Sequence, residues 1–348
     1  MAYTTIDDAS VYFRIKLYTG NGSTNAITFD ETHANMQPDW CWIKRRSGGA
    51  SNAGAFDSVR GATKVLSPSL DQAEETRTDS LTSFDSNGFT LGSDGGNYVN
   101  TNSETFVGWC WKSGSAFSNS AGANGASIAS SGIASSAAGM SIFTFTSTGS
   151  QSTIAHGLGV TPDLYIIKKR GTTTGHWFTY TTIFDGSLDR FILNLTSAKA
   201  DDSNTAPSST IITSDNGSTN NTMVCYAFKM HQGFSRFGFY QGNGESTNGT
   251  YVHTGFTPSW VMTKRSDNTQ NWEIYDRKRS PLNDGNNERL RANLSNAEDS
   301  QNGCDFYANG FKWRNNNDSK NTNGATYLYL AFAESPFVNS SGVPTNSR

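Results

Sequence analysis

Pro38-Asp39-Trp40-Cys41-Trp42-Ile43-Lys44-Arg45 sets the architecture of the chain, because its pattern returns twice along the sequence. The later copies read Pro162-Asp163-Leu164-Tyr165-Ile166-Ile167-Lys168-Lys169 and Pro258-Ser259-Trp260-Val261-Met262-Thr263-Lys264-Arg265. In each copy a proline precedes an apolar strand that ends in a basic pair. A pattern that recurs in this way indicates an internally repeated architecture.

Four further anchors recur in the same order around these stretches. Glycine-containing turns occur upstream, at 18–24, 146–150 and 240–246, and aromatic strands close each copy, at 106–112, 223–229 and 327–333. An aromatic residue followed by aspartate recurs at Phe56-Asp57, Phe184-Asp185 and Tyr275-Asp276, with Arg60, Arg190 and Arg279 shortly after. Asn87-Gly88 and Asn309-Gly310 predict hairpins, and the middle copy keeps Asp215-Asn216-Gly217.

The composition favours an all-β fold. Charged residues make up 16% of the 348 residues and aromatic residues 12%, and the chain contains 34 glycines. Asparagine and glycine tolerate positive φ, and serine and threonine cap loops, so many short strands joined by turns are expected rather than a helical bundle. The spacing of the anchor prolines suits a complete small sandwich. We therefore predict an all-β chain of three internal repeats, each a tandem β-sandwich unit of jelly-roll or lectin-like type.

These patterns set the expected boundaries. We predict an N-terminal attachment arm at 1–14, a first repeat at 15–117, a Ser/Gly/Ala-rich connector at 118–140, a second repeat at 141–234, a third at 235–338 and a C-terminal tail at 339–348. The connector is expected to be extended or draped over the surface. Helix signals are weak, and one short helical turn per copy is expected, at 69–75, 194–200 and 293–299.

Charge and cysteine usage exclude several classes of protein. The net charge of −3 and the shortness of the basic runs argue against broad capture of nucleic acid. No basic head with an apolar run opens the chain, and no stretch approaches the length of a membrane helix, so we expect no membrane insertion and folding in a cytoplasm. Cys41, Cys110, Cys225 and Cys304 lack CxxC spacing, which argues against a metal or redox motif; the first three read as small buried hydrophobes.

Known catalytic motifs are missing, so no cofactor, metal ligand or catalytic residue is predicted. The five histidines, His33, His156, His176, His231 and His253, show neither HxH nor HxxxH spacing. His156 and His253 occupy comparable places, and a recurring structural hydrogen bond is the favoured meaning. No GxSxG, GxxxxGK or GxGxxG motif is present in a suitable context.

Carboxylates leave an enzyme reading open. A polysaccharide depolymerase would use two acids a few ångströms apart, and Asp57, Asp185 and Asp276 are candidates. Their triplication beside basic residues favours structural salt bridges, because an active site seldom needs three copies. Asp94-Gly95-Gly96-Asn97 and Asn283-Asp284-Gly285-Asn286-Asn287-Glu288 carry oxygen ligands but do not match a calcium loop, so ordinary turns are favoured.

Several motifs together resemble an uncharacterised family of tail-fibre-like virion proteins of marine bacteriophages and cyanophages. The resemblance rests on Tyr3-Thr4-Thr5-Ile6-Asp7-Asp8-Ala9-Ser10-Val11-Tyr12-Phe13, Tyr18-Thr19-Gly20-Asn21-Gly22-Ser23, Met36-Gln37-Pro38-Asp39-Trp40, Phe56-Asp57-Ser58-Val59-Arg60-Gly61-Ala62-Thr63-Lys64 and Tyr329-Leu330-Ala331-Phe332-Ala333-Glu334-Ser335-Pro336-Phe337. It implies a virion surface component that meets the host envelope, and it transfers no catalytic or ligand motif. The middle copy departs most, with Thr146-Ser147 and Leu164 in place of Tyr-Thr and Trp.

Three functions follow from this reading. The first is a non-enzymatic tail fibre or fibre-like appendage that binds a host surface glycan or envelope protein, since aromatic rings stack on sugar faces and short polar side chains bind hydroxyls. The second is a purely structural virion decoration or connector, such as a head fibre or tail component. The third is a glycan-cleaving depolymerase. The residues that bind remain unassigned at this stage.

The expected partners are other virion proteins, contacted through the N-terminal arm, and the host surface. Residues 1–12 belong to no repeat and carry apolar groups that need a partner. We predict a homo-oligomer, with a trimer favoured, in a virion assembled in the host bacterial cytoplasm. The alternative is a monomer, because three tandem copies can mimic a trimer within one chain.

Overall fold

The secondary structure is that of an all-β chain. The computed structural model describes residues 4–29, 34–171, 173–215 and 219–335. The first part contains a 3₁₀ helix, Ala9–Val11, and the strands β1 (Phe13–Thr19), β2 (Asn25–Thr28), β3 (Trp40–Arg45), β4 (Gly54–Asp57), β5 (Lys64–Val65), β6 (Glu75–Thr76), β7 (Leu81–Asp85), β8 (Gly88–Leu91) and β9 (Thr105–Trp111). We call β1 to β9 region 1.

Two further regions follow. Between regions 1 and 2 lie β10 (Ser115–Asn119) and β11 (Ser130–Ser135). Region 2 contains β12 (Met140–Thr146), β13 (Ser152–Ala155), β14 (Leu164–Lys169), β15 (Trp177–Thr181), β16 (Asp189–Ile192), β17 (Ala200–Asp201), β18 (Ile211–Ser214) and β19 (Thr222–Phe228). Region 3 contains β20 (Ser235–Gln241), β21 (Tyr251–His253), β22 (Trp260–Arg265), β23 (Glu273–Asp276), β24 (Asn287–Arg291), β25 (Asp299–Gln301), β26 (Cys304–Tyr307), β27 (Gly310–Trp313) and β28 (Thr326–Phe332).

Each region places its strands in a larger and a smaller sheet. The larger sheets contain β1-β9-β3-β4 in region 1, β12-β19-β14-β15 in region 2 and β20-β28-β22-β23 in region 3, so the closing strand always lies between the first strand and the strand that follows the anchor proline. The smaller sheets are β2-β8-β7, β13-β18 and β21-β27-β26. The hairpins predicted at Asn87-Gly88 and Asn309-Gly310 are confirmed, because β7 pairs with β8 and β26 with β27. Asn216 and Gly217 lie outside the described residues.

Alternation along the strands separates two kinds of core. In region 1, Cys41 and Ile43 of β3 pack in one cluster with Phe89 of the smaller sheet. Trp40 and Trp42 point the other way and join a large cluster to which all three regions contribute. The larger sheets therefore turn one face to their own smaller sheet and the other to the centre of the molecule.

Aromatic residues at the ends of the closing strands meet at that centre. Trp111 lies with its ring centroid 5.6 Å from Phe332, and Phe228 lies 6.1 Å from Phe332. Trp40 completes the group, 4.5 Å from Trp111 and 6.0 Å from Phe228. Burial of these rings contributes to the apolar stabilisation of the centre.

The connector differs from the prediction. It is not a separate linker or a segment lying on the surface, because β10 and β11 form an antiparallel hairpin. This hairpin pairs with β12 and widens the larger sheet of region 2. Small side chains allow this approach: a Cβ on Gly132 would lie 2.0 Å from the carbonyl oxygen of Ile142. The hairpin also covers an edge strand whose backbone groups would otherwise lack partners.

Two other expectations are revised. The short helical turns predicted at 69–75, 194–200 and 293–299 are not helices; each stretch contains a turn followed by irregular backbone that leads into β6, β17 or β25. In the predicted arm, Ile6 is buried and Tyr12 packs 6.0 Å from Phe234, while Phe13 already belongs to β1. The tail predicted at 339–348 lies outside the described residues. Within the described ranges, no helix combines the length and apolar character that a membrane crossing requires.

Candidate functional site

A buried chain of charges joins regions 1 and 2. The Asp57 carboxylate accepts from Arg60 Nε at 2.5 Å and from Tyr226 Oη of region 2 at 2.7 Å. Arg60 Nη1 donates to Glu74 at 3.0 Å, and Glu74 accepts from Arg170 Nε of region 2 at 2.8 Å. The side chains of Asp57 and Arg60 are completely buried. Every charge in this chain has a partner of opposite sign, which is the arrangement of a structural network.

The pKa of Glu74 reflects this network. Burial raises the pKa of the carboxyl, but the hydrogen bond and charge of Arg170 and the charge of Arg60 outweigh burial and leave the pKa below its ordinary value. A carboxylate held in its charged form by two guanidinium groups has no proton to donate near neutral pH. Glu74 is therefore unsuited to the role of a general acid.

The same arrangement joins regions 3 and 1. Asp276 accepts from Arg279 Nε at 2.6 Å and from Trp109 Nε1 of region 1 at 3.0 Å. Arg279 Nη1 donates to Glu298 at 2.9 Å, and Arg46 of region 1 donates to Glu298 at 2.8 Å. Asp57 and Asp276 are thus salt-bridged, as predicted from their neighbours in sequence.

The prediction for Asp185 is wrong. In each larger sheet, the first residue of the strand after the anchor proline pairs with one residue of the next strand: Asp57 in region 1, Asp276 in region 3 and Thr181 in region 2. Asp185 lies beyond β15, is exposed and bonds to Ser187. Two hydrogen bonds from Ser187 lower the pKa of Asp185. The sequence pattern was misleading because an aromatic residue precedes aspartate here by coincidence, four residues after the equivalent position.

The contact between regions 2 and 3 has apolar side chains at the positions of these charged groups. Phe184 stands three residues after Thr181, where the other regions have arginine, and it stacks on Phe239 of region 3 with centroids 5.3 Å apart. Leu330 of β28 replaces the donors Tyr226 and Trp109 of the other closing strands. Arg190, predicted to pair with Asp185, pairs with Asp202 at 3.2 Å.

Backbone hydrogen bonds are shared by all three contacts. The amide of Glu74 donates to the carbonyl of Arg170 at 3.0 Å, that of Lys199 to Ser266 at 2.8 Å and that of Glu298 to Arg46 at 2.9 Å. The donors lie in the irregular stretches that were predicted as helical turns. Each region therefore donates a backbone hydrogen bond from the same stretch to the next region, and region 3 donates it to region 1.

Histidines and cysteines are placed as structural groups. His156 is buried, its Nε2 lies 3.2 Å from the carbonyl oxygen of Ser208, and burial lowers its pKa. His253 is exposed, and its ring has no hydrogen-bond partner among the described residues, so the structural hydrogen bond predicted to recur at these two histidines is present at His156 and not at His253. All four cysteines are buried. Among the described residues, no three His, Cys, Asp or Glu side chains are grouped so that they could hold a metal ion.

The two possible calcium loops are turns with internal partners. Asp94 is buried and accepts from Ser80 Oγ and from the amides of Val99 and Asn100. Asp284 accepts from the amide of Asn286.

An exposed tyrosine and a half-buried one lie together on the outer face of the smaller sheet in region 3. Tyr251 is 42% exposed, and its ring lies 6.0 Å from that of Tyr307 at 74°. Gly310 makes room for it, because a Cβ there would lie 2.6 Å from Tyr251 Oη. Tyr251 Oη donates to Asn309 at 2.5 Å, and Tyr307 Oη donates to Asp305 at 3.3 Å. We call Tyr251 and Tyr307 with these two polar partners the aromatic shelf.

A groove of about 250 Å³ adjoins the shelf, lined by Arg277, Ser280, Pro281, Leu282, Asn283, Phe306 and Tyr307. Leu282 is 57% exposed at its rim. A second groove, of about 390 Å³, runs beside β10 and β11 and is lined mainly by serine and threonine, with Arg170 at its edge. Phe145 supplies the aromatic part of the wall of this second groove, and its side chain is buried.

The corresponding positions in region 1 carry no aromatic pair. Strand register places Ala26 where region 3 has Tyr251, and Asp85 where it has Tyr307. The shelf is therefore a property of region 3 and could not be read from the repeat pattern.

Comparison with known proteins identifies the family of the chain. No curated protein matches the chain. A protein-family model described as "Domain of unknown function (DUF7483)" matches residues 8–336. Because the match covers most of the sequence, the chain belongs to this family of domains of unknown function.

Proposed function

We propose that this chain is a non-enzymatic attachment protein of a phage virion surface, which binds a host-envelope glycan through the aromatic shelf of region 3. The observation that carries the proposal is a pair of tyrosine rings at a wide angle, one exposed and one half-buried, each with a polar partner. Sugar rings stack on such faces while their hydroxyls bond to amides and carboxylates. The adjoining groove lengthens the surface that an oligosaccharide could contact.

The scaffold in this proposal consists of three tandem β-sandwich units that close into a ring. Support comes from the shared strand order of the larger sheets and from the repeated backbone bonds between successive regions. Such a ring fills, within one chain, the contacts that a trimer would make between chains. It therefore favours the monomeric alternative, while the predicted homo-trimer stays a prediction that light scattering can decide.

The charged networks support a role without catalysis. Asp57 and Asp276 are buried, and their partners are arginines and ring N–H or O–H groups of the neighbouring region. A glycosidase needs one carboxyl group that is protonated and within reach of the substrate. A purely structural decoration remains the second candidate, and it predicts no glycan binding at all.

The test is binding of the purified protein to an array of bacterial surface oligosaccharides. The double variant Tyr251→Ala/Tyr307→Ala should bind its best glycan about tenfold more weakly, because two stacking contacts are lost. Asp85→Ala, at the equivalent position of region 1, is the matched control and should bind as the unmodified protein does. Unchanged binding by the double variant would contradict the assignment of the shelf. Release of reducing ends by the unmodified protein would contradict the non-enzymatic role.

A further inference from the structure

Region 3 contains a cluster of buried polar side chains that come from its larger sheet and from the adjoining loops, and that do not belong to the aromatic shelf. The Lys320 side chain is completely buried, and Glu273 at the start of β23 is 2% exposed. Lys320 Nζ lies 2.7 Å from Glu273 Oε2 and 2.8 Å from Tyr275 Oη. Aromatic rings surround the amine, with Tyr275 at 5.3 Å and Trp313 at 6.0 Å from Nζ.

The side-chain amide of Gln301 lies against the same amine. With its oxygen turned toward the donors around it, this amide accepts from Arg289 Nε at 2.8 Å, from Arg289 Nη1 at 2.6 Å and from Tyr275 Oη at 2.7 Å. Lys320 Nζ is 3.2 Å from that oxygen. The amide carbon is one bond of about 1.23 Å beyond the oxygen. A carbonyl with a guanidinium and a phenol on its oxygen is polarised as in an oxyanion hole.

The fold does not require charges at this place. In region 1 the strand register and the matching asparagine turns place Gly54, Phe56 and Val99 where region 3 has Glu273, Tyr275 and Lys320. Those region 1 residues form an ordinary apolar interior. Burying a lysine and a glutamate costs free energy that Gly54 and Val99 avoid. The cluster therefore calls for an explanation other than packing.

We infer that Lys320 and Gln301 form an intramolecular isopeptide bond, with Glu273 as the proton carrier. The neutral Lys320 amine attacks Cδ of Gln301, and Glu273 takes the proton that leaves Nζ. Arg289 and Tyr275 stabilise the negative charge that develops on the amide oxygen. The bond from Cδ to Nε2 then breaks, Glu273 passes its proton to the leaving nitrogen, and ammonia departs. An amine and a primary amide give a secondary amide and ammonia, and no oxidant or cofactor is needed.

The electrostatics of the cluster agree with this chemistry. Burial lowers the pKa of Lys320, which favours the neutral nucleophile, although the Glu273 charge opposes the change. For Glu273, burial is outweighed by Lys320 and Arg289, and the pKa is lowered to about 2, so the carboxyl group is ionised and carries no proton before the reaction. After the reaction, Glu273 still has Arg289 at 2.7 Å. The bond would thus remove a buried charge without leaving another unpaired.

Mass spectrometry of the unmodified full-length protein tests the inference directly. Under denaturing conditions the intact mass should be lower by about 17 Da, the mass of ammonia. Because succinimide formation at Asn-Gly sequences gives the same mass, the deciding observation is the tryptic digest. It should contain one branched peptide in which residues 292–312 are joined to residues 315–348 through Gln301 and Lys320, with no cleavage after Lys320. Separate linear peptides, with cleavage after Lys320, would overturn the inference.

Variants assign the roles within the cluster. Lys320→Arg and Gln301→Ala each remove one reacting group and should show no branched peptide. Glu273→Gln keeps both reacting groups but should also lack the branched peptide, which separates a proton carrier from a bystander. Lys312→Arg, at a lysine of β27 outside the cluster, is the control and should keep the bond. A branched peptide in Glu273→Gln would contradict the role of Glu273, and the result for the unmodified protein stands even where a variant fails to fold.

Discussion

The contacts between regions fall into two kinds. Between regions 1 and 2, and between regions 3 and 1, a buried Asp-Arg-Glu chain ends on an arginine and an aromatic donor of the neighbour. Between regions 2 and 3, threonine, phenylalanine and leucine occupy the positions of aspartate, arginine and the aromatic donor. The backbone bonds are the same in all three. The charged side chains of the network are therefore present together or replaced together, since removing one member would leave the others buried and unpaired.

Buried lysines show the same division. Lys44 Nζ donates across its contact to the carbonyl of Leu294 at 2.6 Å, and Lys168 reaches Gln72 of region 1 at 2.7 Å. Lys264 occupies the equivalent place in region 3, but it donates within its own region, to the carbonyl of Arg265 at 2.6 Å. The contact between regions 2 and 3 therefore depends on apolar packing and backbone bonds rather than on cross-region charges.

The largest expected effect concerns the buried carboxylates. Asp57→Asn should lower the free energy of unfolding by about 3 kcal/mol, because it removes the charge that neutralises buried Arg60. Asp276→Asn should behave alike. Thr181→Ala, at the equivalent position of region 2, should cost about 1 kcal/mol, since it removes only neutral hydrogen bonds, to the Asp163 carbonyl and from the Ile183 amide. Chemical denaturation measures all three, and equal losses would show that the two kinds of contact do not differ in this way.

Acid should weaken the two charged contacts selectively. The pKa of Glu298 is lowered, because Arg46 and Arg279 outweigh the effect of burial. A carboxyl with a depressed pKa stabilises the folded state above its unfolded pKa, and that stability is lost as the pH falls toward the folded pKa. Glu298→Gln should therefore cost about 2 kcal/mol at neutral pH. It should also show a shallower loss of stability between about pH 5 and pH 3 than the unmodified protein.

Glu288→Gln is the control for this experiment, because Glu288 bonds to the exposed hydroxyl of Ser300 and joins no cross-region network. Its stability should follow that of the unmodified protein across the acid range. If Glu298→Gln and Glu288→Gln gave the same pH profile, the network between regions 3 and 1 would contribute nothing to acid sensitivity.

Sequence reasoning succeeded where local chemistry dictates structure. The strands after Pro38, Pro162 and Pro258 and the two Asn-Gly hairpins are present. It failed at Asp185, because Thr181 shares no chemistry with Asp57 and only the strand register identifies it. It also missed the pairing of the connector with β12 and the cluster around Lys320, since both join residues far apart in the chain.

The smallest effect is expected at alkaline pH and concerns Lys44 and Lys264. Burial, with nearby arginines, lowers the pKa of each amine from 10.5 to about 7. Between pH 7 and pH 8 the unfolded chain then binds more protons than the folded protein, so the free energy of unfolding should rise with pH, by about 1 kcal/mol for each lysine over that interval. Lys264→Met removes one of these groups without breaking a cross-region bond, and it should make the rise smaller by that amount.

Lys16→Met, at a partly exposed lysine of β1, should leave the rise unchanged. A stability that stays level from pH 7 to pH 9.5 in the unmodified protein would mean that the carbonyl partners keep the buried amines protonated in the folded state, and the comparison between Lys44 and Lys264 would then rest on hydrogen bonding alone.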